Sequence, residues 1–116
     1  MELKNDSKIL RIYIGDADKI SHSPLYELIL FEAKNAGFIG CTVLRGILSF
    51  GRSQIVHSSK LFEIADDLPL VIEIIDTEEK IKSFLPKVDE LIVRANCGGV
   101  VSIESASAYF YKRHEK

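Results

Sequence analysis

The sequence predicts an α+β domain in which strands and helices follow one another in the order β-α-β-β-α-β. Three observations lead to this prediction. Residues 8–14 alternate between two faces as a strand does, and residues 68–76 form a second apolar strand. An amphipathic helical pattern lies between these two strands, and another one follows the second strand. The 116 residues suit one domain, which we assign to 1–116 with a core at about 8–105.

The first half of the chain supplies a strand, a helix and a second strand. A helix is predicted to begin at Ser23–Pro24, because Ser is a good N-cap and Pro suits the first helical position, and to stop at Gly37. A strand is expected from about Gly40 to Leu48. Residues 49–67 then lack a clear period, and a loop of that length in a compact domain is usually functional or disordered.

The second half repeats the strand and helix pattern. The strand at 68–76 is apolar on both faces apart from Glu73, and Asp76 followed by Glu79 resembles a capping box for the next helix. Pro86 interrupts the apolar stripe of that helix, which predicts a kink or two short helices. A tight turn at 96–99 leads to the strand VVSIES, and ASAYFYKR is expected to be an extra strand or a tail.

Two such halves predict a ferredoxin-like βαββαβ sandwich, with an antiparallel four-stranded sheet and both helices on one face. Because residues 68–76 are apolar on both sides, the second face of the sheet also needs a cover. Burial of on the order of a few hundred Å² would contribute several kcal/mol at about 25 cal/mol per Å². We therefore expect a homo-oligomer that packs through its sheets.

Composition excludes several classes of partner. The formal charge of −2 gives no broad attraction to nucleic acid, so no nucleic-acid partner is expected. The first residues, MELKNDSK, lack the apolar centre of a signal peptide, and the apolar runs are too short for membrane insertion, which predicts a cytoplasmic protein. Cys41 and Cys97 are then expected to be reduced thiols that serve in packing.

Three segments in order carry a family resemblance: ILRIYIGDADK, PLYELILFEAKNAGFIGCTVLRGI and LPLVIEIIDTEEKIKSFLPKVDELI. They resemble the bacterial and archaeal PII-like proteins of domain of unknown function family 190, over roughly residues 8–105. That family in turn resembles the nitrogen regulatory PII proteins. Gly40-Cys41-Thr42-Val43 looks like the PII stretch that enters a strand, and Phe50-Gly51-Arg52 looks like the opening of its T-loop.

The resemblance implies a PII-like homotrimer that binds an adenine nucleotide in clefts between subunits. Residues 49–67 would be the mobile T-loop that signals to a regulated protein of unknown identity. No catalytic residue, metal ligand or required cofactor is implied, so we do not expect an enzyme. The candidate nucleotide-binding residues are Gly40, Thr42, Arg45, Gly51, Arg52, Gly98, Gly99 and Lys112, and the candidate partner-loop residues are Phe50 and His57.

The sequence departs from the PII pattern in the phosphate loop. In PII proteins this loop reads roughly Gly-Asp-Gly-Lys, whereas residues 96–99 here are Asn-Cys-Gly-Gly, which is shorter and has no Lys. The stretch from Gly40 to Phe50 is one residue longer than in PII, and the loop lacks the modifiable tyrosine. These differences favour AMP or ADP over ATP as the nucleotide.

Most candidate residues also have a structural interpretation. Gly98–Gly99 could expose amides to a phosphate or form a plain turn. Arg45 could pair at a subunit interface or bind phosphate, since its planar fork suits both. Arg52 and His57 could bind a ligand or lie in a solvated loop, and Lys112 could belong to a frayed end.

Glu73 interrupts the apolar residues of the strand LPLVIEIID. A carboxylate in such a place needs a partner, and Arg45 and Arg11 are the candidates. A general-base role is the alternative, but no nucleophile or second carboxylate motif accompanies it.

Three other functions remain open at this point. One is a metal-responsive CutA-like trimer, for which the scattered Cys41, His57 and Cys97 are the only hint. Another is an interaction module without a ligand. The third is an enzyme with a small-molecule substrate, although the sequence shows no catalytic triad, dyad or cofactor loop.

Overall fold

The computed structural model describes residues 2–50, 57–58 and 68–113, with the side chains of residues 2, 4, 5, 57 and 58 left out. Within these ranges the chain forms eight strands and two helices. Their bounds are β1 Glu2–Gly15, β2 Lys19–Ile20, β3 Ser23–Pro24, α1 Leu25–Asn35, β4 Thr42–Arg45, β5 Leu48–Ser49, β6 His57–Ser58, β7 Pro69–Thr77, α2 Glu78–Ala95 and β8 Val100–Phe110.

The main sheet has four strands in the order β4-β7-β1-β8, and each neighbouring pair is antiparallel. This is the ferredoxin-like arrangement, so the predicted fold is confirmed. The central strand β1 pairs with β7 on one side, where Ile12 lies opposite Ile72, and with β8 on the other, where Ile12 lies opposite Val101. Two short ribbons, β2-β3 and β5-β6, stand beside the sheet.

The hydrophobic core lies between one face of this sheet and the two helices. Alternate residues of β7 are buried, as expected of a strand that turns one face to helices. The core side chains are Leu10, Ile12 and Ile14 of β1, Leu70, Ile72 and Ile74 of β7, Leu25, Ile29 and Ala33 of α1, and Ile81, Phe84, Val88 and Leu91 of α2.

Helix α1 begins later than predicted. Ser23 and Pro24 form β3, paired with β2, and Pro24 at the N-cap offers no side-chain hydrogen bond. The prediction that Ser23 caps this helix is therefore wrong, because Ser23 pairs with Ile20 in the β2-β3 ribbon and the N-cap is Pro24. At the other end, Gly37 adopts φ 81°, a conformation that favours glycine, so the predicted stop is confirmed.

Helix α2 follows β7 with no residue between them, since β7 ends at Thr77 and α2 begins at Glu78. The cap is Thr77, whose hydroxyl accepts a 3.4 Å hydrogen bond from the amide of Lys80. The predicted Asp76 cap is wrong, because Asp76 is still part of β7 and its carboxylate serves other amides.

Pro86 lies inside α2, which runs unbroken from Glu78 to Ala95. The alternative of two short helices is therefore wrong. Pro86 is exposed, so the carbonyl group that loses its intrahelical donor is on the solvent side of the helix, where water can replace the bond.

Strands β1 and β8 are longer than predicted, and β4 is shorter. Residues 106–110 continue β8. Strand β1 extends back to Glu2 and pairs there with the end of β8, with Glu2 opposite Phe110 and a bulge between Lys4 and Ser7. We call this pairing of Glu2–Ser7 with Ala106–Phe110 the arm. The strand expected over 40–48 is limited to β4, with Leu48 in the separate strand β5.

Candidate functional site

The sheet face that points away from the helices carries a largely apolar surface, which we call the open face. Its apolar members are Ile9, Tyr13, Leu44, Val71, Ile75 and Val100. Tyr13 is 42% exposed and Val100 is 59% exposed. A surface of this kind on a small domain commonly marks a contact with another protein.

A row of charges crosses the open face at its centre. Arg11 Nε donates a 3.0 Å hydrogen bond to Glu73 Oε2, and Arg11 Nη1 also bonds the carboxylate of Glu104. The hydrogen bond to Glu73 and, to a smaller extent, the bond to Glu104 raise the pKa of the Arg11 guanidinium. Burial has the opposite, smaller effect on this pKa. Arg11 is therefore the partner that Glu73 requires, and the alternative partner Arg45 is wrong.

Thr42 and Gly40 lie at the start of β4, which is one edge of the sheet. Thr42 is exposed and stands opposite Glu73, so its side chain belongs to the open face. Gly40 is exposed, and a Cβ placed there would meet nothing within 4 Å. A shallow groove of about 350 Å³ lies beside Gly40, lined also by Phe31, Phe38 and Cys41.

The connection that carries Gly40 is held by the end of β7 and the start of α2. Asp76, which is 2% exposed, accepts a 3.3 Å hydrogen bond from the amide of Ile39. Lys80 Nζ lies 3.8 Å from Asp76 Oδ2, donates to the carbonyl of Gly37 and stands 5.1 Å from the centre of the Phe38 ring. These contacts fix the chain just before the candidate site.

Arg45 points to the other side of β4 from Thr42. It stands opposite Leu70, a buried residue of the helix-facing row. Its Nη2 lies 3.7 Å from Asp16 Oδ2, and its side chain is 59% exposed. Arg45 is thus an exposed cation with an acidic neighbour in its own chain.

The turn Gly98–Gly99 lies at the opposite edge of the sheet and follows Asn96, which ends α2 at φ 51°. A Cβ at Gly99 would lie 2.6 Å from the carbonyl oxygen of Tyr13, so only glycine fits without movement of the backbone. A Cβ at Gly98 would meet nothing within 4 Å. Close packing thus accounts for Gly99 but not for Gly98, whose backbone is exposed.

Among the residues that the structure describes, the candidate nucleotide-binding residues of one chain do not converge. Thr42 stands opposite Glu73, Glu73 opposite Arg11, and Arg11 opposite Ser102. Thr42 and Ser102 are therefore three strand spacings apart. Gly99 lies beyond that row, against Tyr13, which places Thr42 and Gly99 roughly 17 Å apart. Lys112 follows the arm, at the far end of β8.

The remaining candidates belong to the long loop. Phe50, 64% exposed, follows β5. The backbone of His57 pairs with Ser49 in the β5-β6 ribbon. Gly51 and Arg52 lie outside the residues that the structure describes.

Cys41 and Cys97 are thiols, each half-buried against the core. Burial raises the pKa of the Cys41 thiol, which makes it less reactive. Among residues 2–50, 57–58 and 68–113 no group of three or more His, Cys, Asp or Glu could hold a metal ion. Within the same ranges, no helix combines the length and apolarity that crossing a membrane requires.

Sequence reasoning missed two residues that shape this region. Asp16 binds both Leu68 and Arg45, and Lys80 binds the carbonyl of Gly37. The position of Asp16 directly after the glycine that ends a strand was an available signal. Lys80 stands four residues after Asp76, the usual spacing of an ion pair on a helix.

Solved structures place this architecture in the PII-like class of folds. CPII, a nitrogen regulatory PII-like protein from Thiomonas intermedia bound to ADP, AMP and bicarbonate, has a TM-score of 0.68 with 20% identity over 92% of this chain and 91% of its own. A protein of Thermus thermophilus described as PII-like and signalling has a TM-score of 0.65 with 16% identity over 93% of each chain. These likenesses establish the fold.

The chain belongs to the DUF190 family, described as "Uncharacterized ACR, COG1993", whose profile matches residues 7–108. A UPF0166 protein of Aquifex aeolicus is 34% identical over 89% of this chain and 93% of its own length. A UPF0166 protein of Methanocaldococcus jannaschii is 32% identical over 94% of this chain and 97% of its own. The family resemblance predicted from the three segments is thereby confirmed.

The fold by itself does not decide between binding and catalysis. A phage SAM lyase in complex with S-methyl-5'-thioadenosine has a TM-score of 0.50 and 18% identity, covering 97% of this chain and 98% of its own. Function therefore has to come from the site.

Proposed function

We propose that this protein is a PII-like regulatory protein that binds an adenine nucleotide, AMP or ADP rather than ATP, in clefts between the subunits of a homotrimer. The observation that carries the proposal is the separation of the candidate residues in one chain. Thr42 and Gly98–Gly99 occupy opposite edges of one sheet, so a ring of subunits that brings one edge against the other would unite them.

Two further features support this proposal. The open face presents Tyr13 and Val100 to solvent, and an assembly would cover them. The turn at Gly98–Gly99 lacks the lysine that would pair with a terminal phosphate, and its exposed backbone suits a mono- or diphosphate. The complex of CPII with ADP and AMP is consistent with the same chemistry.

Isothermal titration with AMP, ADP and ATP, with GDP as the control, tests nucleotide binding. Heat of binding is expected with AMP or ADP, weaker heat with ATP, and none with GDP. Absence of heat with all three adenine nucleotides would overturn the proposed ligand. No cofactor is required in this proposal, and metal analysis of the purified protein separates it from a CutA-like trimer.

Sedimentation velocity tests the assembly. Tyr13→Lys places a charge in the open face and is expected to shift a trimer toward monomer. Val93→Lys is the matched control, because Val93 is 68% exposed on α2, away from the open face. A wild-type protein that sediments as a monomer would contradict the homotrimer.

We also propose that the protein acts by binding rather than catalysis and that residues 49–67 carry the signal to a regulated protein. Nucleotide addition is then expected to change the rate of protease cleavage within 49–67. Incubation with ATP or S-adenosylmethionine is expected to yield no product. Turnover of either compound would favour an enzyme, as in the phage lyase that shares the fold.

A further inference from the structure

The segment between Arg45 and Leu68 leaves the sheet from β4 and returns to it at the adjacent strand β7. The two ends meet closely, since the amide of Gly46 donates a 2.7 Å hydrogen bond to the carbonyl of Pro69. A Cβ at Gly46 would lie 2.9 Å from the Pro69 ring. We call Arg45, Gly46, Leu68 and Pro69, together with Asp16, the neck.

Asp16 contacts both ends of the neck. Its amide donates to the carbonyl of Leu68 over 2.8 Å, and its Oδ1 accepts from the amide of Leu68, also over 2.8 Å. Its Oδ2 lies 3.7 Å from Arg45 Nη2. The two oxygens of one carboxylate therefore serve the outgoing and the returning chain separately.

The place of Asp16 is fixed by the turn that follows β1. The amide of Gly15 donates a 2.8 Å hydrogen bond to Asp18 Oδ2, and the amide of Asp18 donates to the carbonyl of Gly15 over 3.3 Å. Asp16 therefore follows an inner strand of the sheet, since β1 pairs with β7 on one side and with β8 on the other.

The two contacts of Asp16 differ in strength. The pair of short hydrogen bonds to Leu68 closes a ring and shields a side chain that is 23% exposed. The ion pair to Arg45 is long and involves a guanidinium that is 59% exposed, and such pairs contribute little. Arginine binds phosphate with two parallel hydrogen bonds, so an anion that reaches Arg45 can replace Asp16.

We propose that Asp16 is the positioning residue of the neck, holding Leu68 firmly through Oδ1 while Oδ2 holds Arg45 in a pair that a phosphate-bearing ligand displaces. Binding would then release the outgoing chain at Gly46 while the returning chain at Leu68 stays fixed. This inference rests on the proposed function, because the ligand is the adenine nucleotide of the same site.

The variants Asp16→Asn and Asp16→Ala separate the two contacts. Asn keeps an acceptor oxygen for the amide of Leu68 but loses the charge that attracts Arg45, whereas Ala loses both. Glu27→Gln, at an exposed glutamate of α1, is the matched control for loss of one negative charge.

Titration with ADP gives the first readout. Asp16→Asn is expected to bind ADP about twofold to fivefold more tightly than wild type, since an exposed ion pair no longer competes for Arg45. Arg45→Gln is expected to bind more weakly, and Glu27→Gln to match wild type. Unchanged or weaker binding by Asp16→Asn, with wild type binding ADP normally, would overturn the inference.

Amide hydrogen exchange in the nucleotide-free protein gives a second readout that needs no ligand. Asp16→Asn is expected to speed exchange at the amide of Gly46 and to leave that of Leu68 protected, whereas Asp16→Ala speeds both. Equal effects of the two variants at both amides would refute the separate roles of Oδ1 at Leu68 and Oδ2 at Arg45. If wild type gives no heat with any nucleotide, the proposed function fails, and the exchange pattern alone decides whether Asp16 positions the neck.

Discussion

The buried carboxylate of Asp76 accepts a 3.3 Å hydrogen bond from the backbone amide of Ile39, joining the end of β7 to the connection that leads into β4. Its other oxygen accepts a 2.7 Å bond from the amide of Thr77. Two backbone donors thus depend on one side chain that is 2% exposed.

Replacement of Asp76 is expected to destabilise the protein strongly. Asp76→Ala should lower the free energy of unfolding by about 2–4 kcal/mol, because two partly buried backbone amides lose the acceptor that the buried carboxylate supplies. Asp76→Asn should lose less, since its amide oxygen can still accept one bond. Urea unfolding measures both, and Glu79→Ala, at an exposed residue of the same turn, should stay within about 0.5 kcal/mol of wild type. A loss for Glu79→Ala as large as that for Asp76→Ala would contradict the assignment of these contacts to Asp76.

The two adjacent glycines before β8 should respond differently to substitution. Gly99→Ala should lower the free energy of unfolding by about 1–3 kcal/mol, because its Cβ would lie 2.6 Å from the carbonyl oxygen of Tyr13. Gly98→Ala should be nearly neutral, because a Cβ there meets nothing within 4 Å. Thermal or urea unfolding of the pair provides the comparison, and equal losses would show that the turn packs otherwise.

Removal of the proline within α2 should stabilise the protein. Pro86→Ala restores an intrahelical hydrogen bond, although it also raises the entropy of the unfolded chain. The net result expected is an increase of about 1–2 kcal/mol in the free energy of unfolding. Ser83→Ala, on the exposed side of the same helix, serves as the control and should change stability by less than about 0.5 kcal/mol. Destabilisation by Pro86→Ala would mean that the packing of α2 needs the proline.

The thiol of Cys41 should react slowly and late in a pH titration. Burial raises its pKa, so its thiolate forms at higher pH than that of an exposed cysteine. In a Cys97→Ser background, the iodoacetamide reaction of Cys41, followed by mass spectrometry, should be slower at pH 8 than that of the same protein in urea. Equal rates would contradict the raised pKa.

The same shift affects stability with a defined sign. Because the folded pKa of Cys41 is above its unfolded value, the stability it contributes is present below the unfolded pKa and is lost as pH rises through the folded pKa. The difference in unfolding free energy between wild type and Cys41→Ala should therefore shrink at alkaline pH.

The spacing of apolar residues, together with residues such as Gly37 that end a helix, predicted most of the fold. The alternation in β1 and β7 and the helical spacing of Ile81, Phe84 and Val88 correspond to the observed core. Errors arose where two local interpretations competed. Ser23 suits a helix cap, yet it lies in the β2-β3 ribbon, and Asp76 suits a cap, yet β7 continues to Thr77.

The candidate site was less accessible from sequence. Arg11 and Arg45 were equal candidates for Glu73, and only the pairing register, which sets Arg11 opposite Glu73, distinguishes them. Asp16 was not singled out, because its partners Arg45 and Leu68 are distant in sequence. The local sequence marks Asp16 only as the residue after the glycine that ends β1, and it does not show which distant residues Asp16 contacts.

The direct joining of β7 to α2 at Thr77 and Glu78 limits how the chain length can vary. A residue inserted there would rotate the helix by about 100°, since an α-helix turns once in 3.6 residues. That rotation would carry Ile81 and Phe84 off the sheet. Insertions and deletions among homologous chains should therefore be absent from this joint, which makes it a fixed reference for aligning distant relatives of the family.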